Sequence, residues 1–110
     1  MSNAVETDIL TLIEKELSAA NEKYPLFASP HEAYAVILEE VEEADIAIKS
    51  VDRFIAAFWA AVKANEDRIT LTTFSKCAYE EAISLAIEAV QVAAMCRKFE
   101  MSLPREEKAK

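Results

Sequence analysis

The chain has 110 residues, no glycine, only three prolines, 53 % hydrophobic residues and a formal net charge of −8. This length suits one domain with a real core, and the apolar content excludes a disordered chain. Tight β-turns depend on glycine, so the composition excludes an all-β or α/β fold, and the acidic balance argues against binding nucleic acid or an anionic membrane surface.

Residues 1–4 open the chain with Ser2-Asn3-Ala4, which reads as a tag remnant or a disordered start and carries no functional weight. The first helix is expected over about 4–23, with Ile9, Leu12, Ile13, Leu17 and Ala20 as its apolar stripe. Pro25 ends it, and Tyr24 to Ala28 form a short loop.

The second helix begins at a capping box. Ser29 is the N-cap, Pro30 occupies the first helical position, and Glu32 stands three residues after the cap. Tyr34, Ile37, Val41, Ala44, Ile48, Val51, Ile55, Phe58 and Val62 then recur at steps of three and four, predicting one helix over about 30–64 with these residues as its packing seam. Residues 65–68, Asn-Glu-Asp-Arg, form the polar connection. The third helix starts between Thr70 and Thr73 and runs to about Leu103, before Pro104. Its seam is Ala78, Ala82, Leu85, Ala89, Val92, Cys96, Phe99 and Leu103. Residues 104–110 are expected to be a frayed, charged tail.

The predicted fold is therefore all-α, a single domain with two long helices. Its surplus apolar surface suits a partner that covers it. No apolar run reaches the roughly 18 residues of a membrane span, and no signal peptide opens the chain. Cys77 and Cys96 fall on one helix too far apart to bridge, and free thiols fit a cytoplasmic protein.

The heptad register divides the glutamates. With Val41 at position a, Glu40 and Glu43 fall at g and c, on a stripe otherwise made of Val36, Ala47, Ser50, Phe54, Ala57 and Ala61. Glu39 and Glu42 lie on the other side, near Lys49 and Arg53, as a solvated face. On the third helix, with Ala89 at a, Glu88 and Gln91 occupy the same g and c positions. They sit in a segment, 82–96, apolar enough to be buried all round. Helices packed side by side would bring the two polar pairs face to face. Two unit charges about 5.5 Å apart repel by roughly 3 kcal/mol at an effective dielectric near 20. Such a site calls for protonation, a basic partner or a cation, and a set of oxygen ligands suits Mg²⁺ or Mn²⁺. A glutamate beside a heptad seam is also commonly just a flanking charge that reaches water, and a lone glutamine in such a place is commonly a core hydrogen-bonding residue.

Glu40-Val41-Glu42-Glu43 followed by Glu88-Ala89-Val90-Gln91 resembles the paired E-x-x-E and E-x-x-D motif of the MazG-like all-α nucleoside triphosphate pyrophosphohydrolases. The stretches His31–Glu40 and Gln91–Met95 resemble bacterial and phage members, and the likeness covers about residues 25–100. It implies Mg²⁺-dependent cleavage between the α- and β-phosphates, giving a nucleoside monophosphate and pyrophosphate. It also implies Glu40, Glu43 and Glu88 as catalytic metal ligands with Gln91 at the fourth corner, and a homodimer or homotetramer whose protomers share a four-helix-core bundle. Two departures stand out. Gln91 replaces the family's aspartate, offering an oxygen without charge, and the spacing between the motifs is longer than usual. Lys49, Arg97 and Lys98 are candidates for substrate phosphate, with Lys49 and Lys98 preferred, although each also reads as an ordinary surface cation. His31, the only histidine, reads as a loop or capping contact. A different reading stays open beside the enzyme: a non-catalytic helical-bundle module that binds a nucleotide or a partner, with a degenerate metal site.

Overall fold

The computed structural model describes residues 3–23 and 26–109, with side chains described to Leu103. It is all-helical: α1 is Asn3–Lys23, α2 is Pro30–Lys63 and α3 is Arg68–Ala109. Asn3 and Ala4 belong to α1, so the disordered start does not extend to them. Residues 1 and 2, and the Tyr24-Pro25 part of the expected loop, lie outside the described residues. Among the described residues no helix is long and apolar enough to cross a membrane.

The helix ends follow from local chemistry. At the start of α2, Glu32 N donates to Ser29 Oγ at 3.1 Å, while Ala28 N donates to Glu32 Oε1 at 3.3 Å. The side-chain half of the expected capping box thus reaches one residue further back than the N-cap amide. At the end of α2, Asn65 takes φ 55°, the left-handed conformation that asparagine tolerates in place of glycine. Glu66 N donates to Ala61 O and Asn65 N to Val62 O, closing the two bonds of a Schellman cap. Asp67 Oδ1 then accepts from Thr70 N at 2.8 Å, which starts α3 at Arg68, ahead of the expected window. Hydrogen bonds to the Thr70 backbone, and then its side chain, hold the Asp67 carboxyl below its ordinary range. At the other end, α3 continues past the expected stop at Leu103. A proline has a helical φ but lacks an amide donor and crowds the carbonyl four residues back, so a helix that runs through it does so at a cost.

Two compact units divide the chain: residues 1–41 with 89–110, and residues 42–88. The first contains α1, the start of α2 and the end of α3. Its core is Leu17, Phe27, Ala33, Ala94 and Met95, with Ile13, Ala20, Val36, Ile37 and Phe99 packed against it. Ser102, 2 % exposed, ties the loop to the bundle: its Oγ accepts from Phe27 N at 3.0 Å and donates to Lys98 O at 2.9 Å.

The second unit is a helical hairpin. Its buried residues are small: Ala47, Ser50, Ala61 and Ala78. The expected seam is met only in part. Ile48, Ile55 and Val62 are exposed, whereas Ala44, Val51 and Phe58 of the same seam are half-buried and Ala78 of the α3 seam is buried. The most buried positions of α2 in this unit lie on the g/c stripe, where small alanine and serine side chains let another helix approach closely. The segment 82–96 is likewise not buried all round within one chain, since Ile83 and Ile87 are exposed. Cys77 and Cys96 are free.

Candidate metal centre

Glu43 and Glu88 both belong to the hairpin unit, close to its two chain ends. Their carboxylate oxygens lie within 4.8 Å of one another, so a proton on one can hydrogen-bond to the other. That bond, then the negative charge of Glu88, then partial desolvation raise the Glu43 carboxyl above its ordinary value of 4.5. The pairing of the g/c positions expected from the heptad register therefore occurs. Glu43 itself is exposed, whereas Glu88 is half-buried.

Glu40 stands one turn before Glu43 on the same uninterrupted helix, so the helix repeat places both carboxylates on one side of it. Glu40, Glu43 and Glu88 each offer a carboxylate oxygen, and these oxygens all lie within 4.8 Å of one another. Ligands at about 2.1 Å in an octahedron would be roughly 3.0 to 4.2 Å apart, somewhat closer than the 4.8 Å within which these oxygens lie. The donors are hard, anionic oxygens, and hydrogen bonding to Glu88, with the negative charge of Glu88 second, is what has raised Glu43. Both observations fit a divalent cation of the Mg²⁺ or Mn²⁺ kind.

Gln91 follows Glu88 by one turn on α3 and is half-buried. With Glu40 it lines a cavity of about 670 Å³ within the first unit. The cavity walls include Ala20, Phe27, Val36 and Met95 on the apolar side, and Lys98 deep in one wall. Lys98 is only 4 % exposed, and its Nζ lies 4.8 Å from the centroid of the Phe27 ring.

The other expected cations are placed differently. Lys49 is exposed and pairs with Asp45 at 2.7 Å, one turn away. Arg53 donates to Ser50 Oγ at 3.1 Å. Arg97 pairs with Glu100 on the surface. Glu39, Glu42 and His31 are exposed. Phe27 and Ser102 had not been singled out. A faint signal existed for both: an aromatic in a short loop just before an N-cap, and a serine continuing the stripe of Met95 and Lys98.

No protein-family model, curated protein or solved structure matches the chain.

Proposed function

We propose that the chain is a Mg²⁺-dependent nucleoside triphosphate pyrophosphohydrolase of the MazG-like kind, cleaving the α–β phosphate bond. The observation that carries the reading is the convergence of Glu40, Glu43 and Glu88 on one point, with the Glu43 carboxyl raised by its neighbour. Charge repulsion of this sort is relieved by a cation, and the cation in turn lets a protein of net charge −8 hold a polyphosphate. Bound there, Mg²⁺ supplies charge neutralisation at phosphate oxygens and a more acidic water. Glu40, Glu43 and Glu88 hold and orient it. Gln91 contributes an amide oxygen beside them, and the adjoining cavity takes the organic part of the substrate, with Lys98 rather than the surface-paired Lys49 facing it. The exposed Ile48, Ile55 and Val62 support assembly into a homodimer or homotetramer, and the free thiols support a cytoplasmic setting.

One observation favours a second reading, a nucleotide-binding or interaction module without turnover: Gln91 brings no negative charge to the fourth corner of the site.

Pyrophosphate release from a panel of common and modified nucleotides, with Mg²⁺ or Mn²⁺, separates the two. The enzyme reading expects turnover of at least one nucleotide, abolished by chelation. Loss of a metal-holding carboxylate in Glu40→Gln should lower turnover by at least about 100-fold, beyond what loss of a mere supporting residue costs. Metal and nucleotide binding without turnover leaves the second reading. No turnover of any nucleotide, together with no calorimetric metal binding that Glu40→Gln abolishes, sinks the enzyme reading.

A further inference from the structure

Lysine is almost never fully buried unless a partner neutralises it. Lys98 is 96 % buried, as its 4 % exposure requires. Among the described residues no carboxylate pairs with its Nζ; its recorded neighbour is the face of Phe27. A ring face engages one side of an ammonium group that carries three donors. The group lies in the wall of the cavity, so its remaining donors have the cavity to serve. The arrangement is also held in place. Ser102 Oγ bridges Phe27 N and Lys98 O, so one buried hydroxyl fixes both the ring and the turn that bears the lysine. Lys23 and the carboxylates Glu16, Glu32 and Glu40 also line the cavity; Glu32 is engaged with the Ala28 amide and Glu40 belongs to the carboxylate cluster.

We infer that the cavity of the first unit is a metal-independent site for a phosphomonoester on an organic body of nucleotide size, with Lys98 as its anion-binding residue. The volume, about 670 Å³, falls within the range of small-molecule sites, about 300–1,000 Å³. Ala20, Phe27, Val36 and Met95 give an apolar wall for a ring, and Lys98 supplies the charge that a phosphate monoanion or dianion requires. The anion site stands on the burial of Lys98 alone. Its assignment to a nucleoside monophosphate, the product of the proposed reaction, rests on the pyrophosphohydrolase reading.

The test is calorimetry in excess chelator with nucleoside 5′-monophosphates, ribose 5-phosphate and inorganic phosphate. At least one of the two organic phosphates should bind at least tenfold more tightly than inorganic phosphate. Lys98→Met should weaken that binding at least tenfold, and Lys98→Arg should restore part of it. Binding by ribose 5-phosphate as tight as by any nucleotide would keep the anion site and overturn its nucleoside assignment. Should Lys98→Met fail to fold, the Lys98 side-chain NMR signal of the unaltered protein takes its place, and it must move on titration. No organic phosphate bound, equal binding by a folded Lys98→Met, or an unmoved Lys98 signal overturns the inference. Monophosphate binding without any pyrophosphate release would instead sink the enzyme reading and leave this site standing.

Discussion

The two units of the chain solve the burial problem in opposite ways. In residues 1–41 with 89–110, large side chains such as Leu17, Phe27 and Met95 are inside. In residues 42–88 the fully buried positions are alanine and serine; Val51, Phe54, Phe58, Phe74 and Leu85 are half-buried, and Ile46, Ile48, Ile55, Trp59, Ile83 and Ile87 are exposed. The first unit draws its stability from its own core and encloses a cavity. The second leaves many large apolar side chains at its surface. A two-helix hairpin has one contact face, and each helix here carries apolar residues around more than that face. In the proposed assembly, a second copy of the chain covers the remainder.

The comparison breaks first where a large core residue is removed. Phe27→Ala should destabilise the first unit by about 3–5 kcal/mol, the usual cost of emptying a buried phenylalanine site. Denaturant unfolding followed by circular dichroism would read it. The same truncation at the exposed Trp59 should cost far less in a monomer, because little of that side chain leaves water on folding. Equal losses at the two positions would mean that the contrast between the units is wrong.

The second prediction concerns the outward stripe. Burial of an isoleucine is worth about 1.5–3 kcal/mol, and a charge in an apolar contact costs more. Ile55→Glu should therefore weaken self-association by at least about tenfold while leaving the 12.3 kDa chain folded. Light scattering across a dilution series measures both the starting mass and the change. A mass of one chain for the unaltered protein at every concentration would refute the assignment of this face to a second copy.

These two stripes also mark where the sequence was readable. Three helices, the polar connection expected over 65–68 apart from Arg68, and the N-terminus of α2 followed from Ser29, Pro30, Glu32 and the periodicity, because caps and repeats act locally. The meeting of Glu43 with Glu88 followed as well, since both fall at the same heptad positions and helices packed side by side align them. The choice of contact face followed only in part. Val41, Ile48, Ile55 and Val62 demand burial, but hydrophobicity does not say whether the same chain or another supplies it. Ala47, Ser50 and Ala61 demand little, and close approach of two backbones selected them. Lys98 was legible as a position on the right stripe and not as a buried cation, since its burial depends on Phe27 arriving from a loop far away in sequence. The helix passing Pro104 ran against the strongest local stop signal in the region.

The smallest effect is the most specific to the carboxylate cluster. Glu43 has a folded-state value raised above 4.5 by the hydrogen bond and charge of Glu88. A raised acid favours the folded state while protonated. Its contribution is fully present below the ordinary value of 4.5 and is lost as pH rises through the raised one, where the folded chain must hold two like charges together. Metal-free unaltered protein should therefore lose melting temperature across that window. Glu43→Gln, which has nothing to ionise there, should follow a flatter curve and be the more stable of the two near pH 7 in chelator. Millimolar Mg²⁺ should reverse the order, because a cation that binds only the folded, triply carboxylate site stabilises the unaltered chain in proportion to its occupancy and gives the variant less. Melting curves from pH 4 to 8, with and without Mg²⁺, contain the whole argument. Parallel curves for the two proteins would show that Glu43 and Glu88 do not share a proton. A reversal absent at saturating Mg²⁺ would show that the pair, though coupled, is not built around a cation.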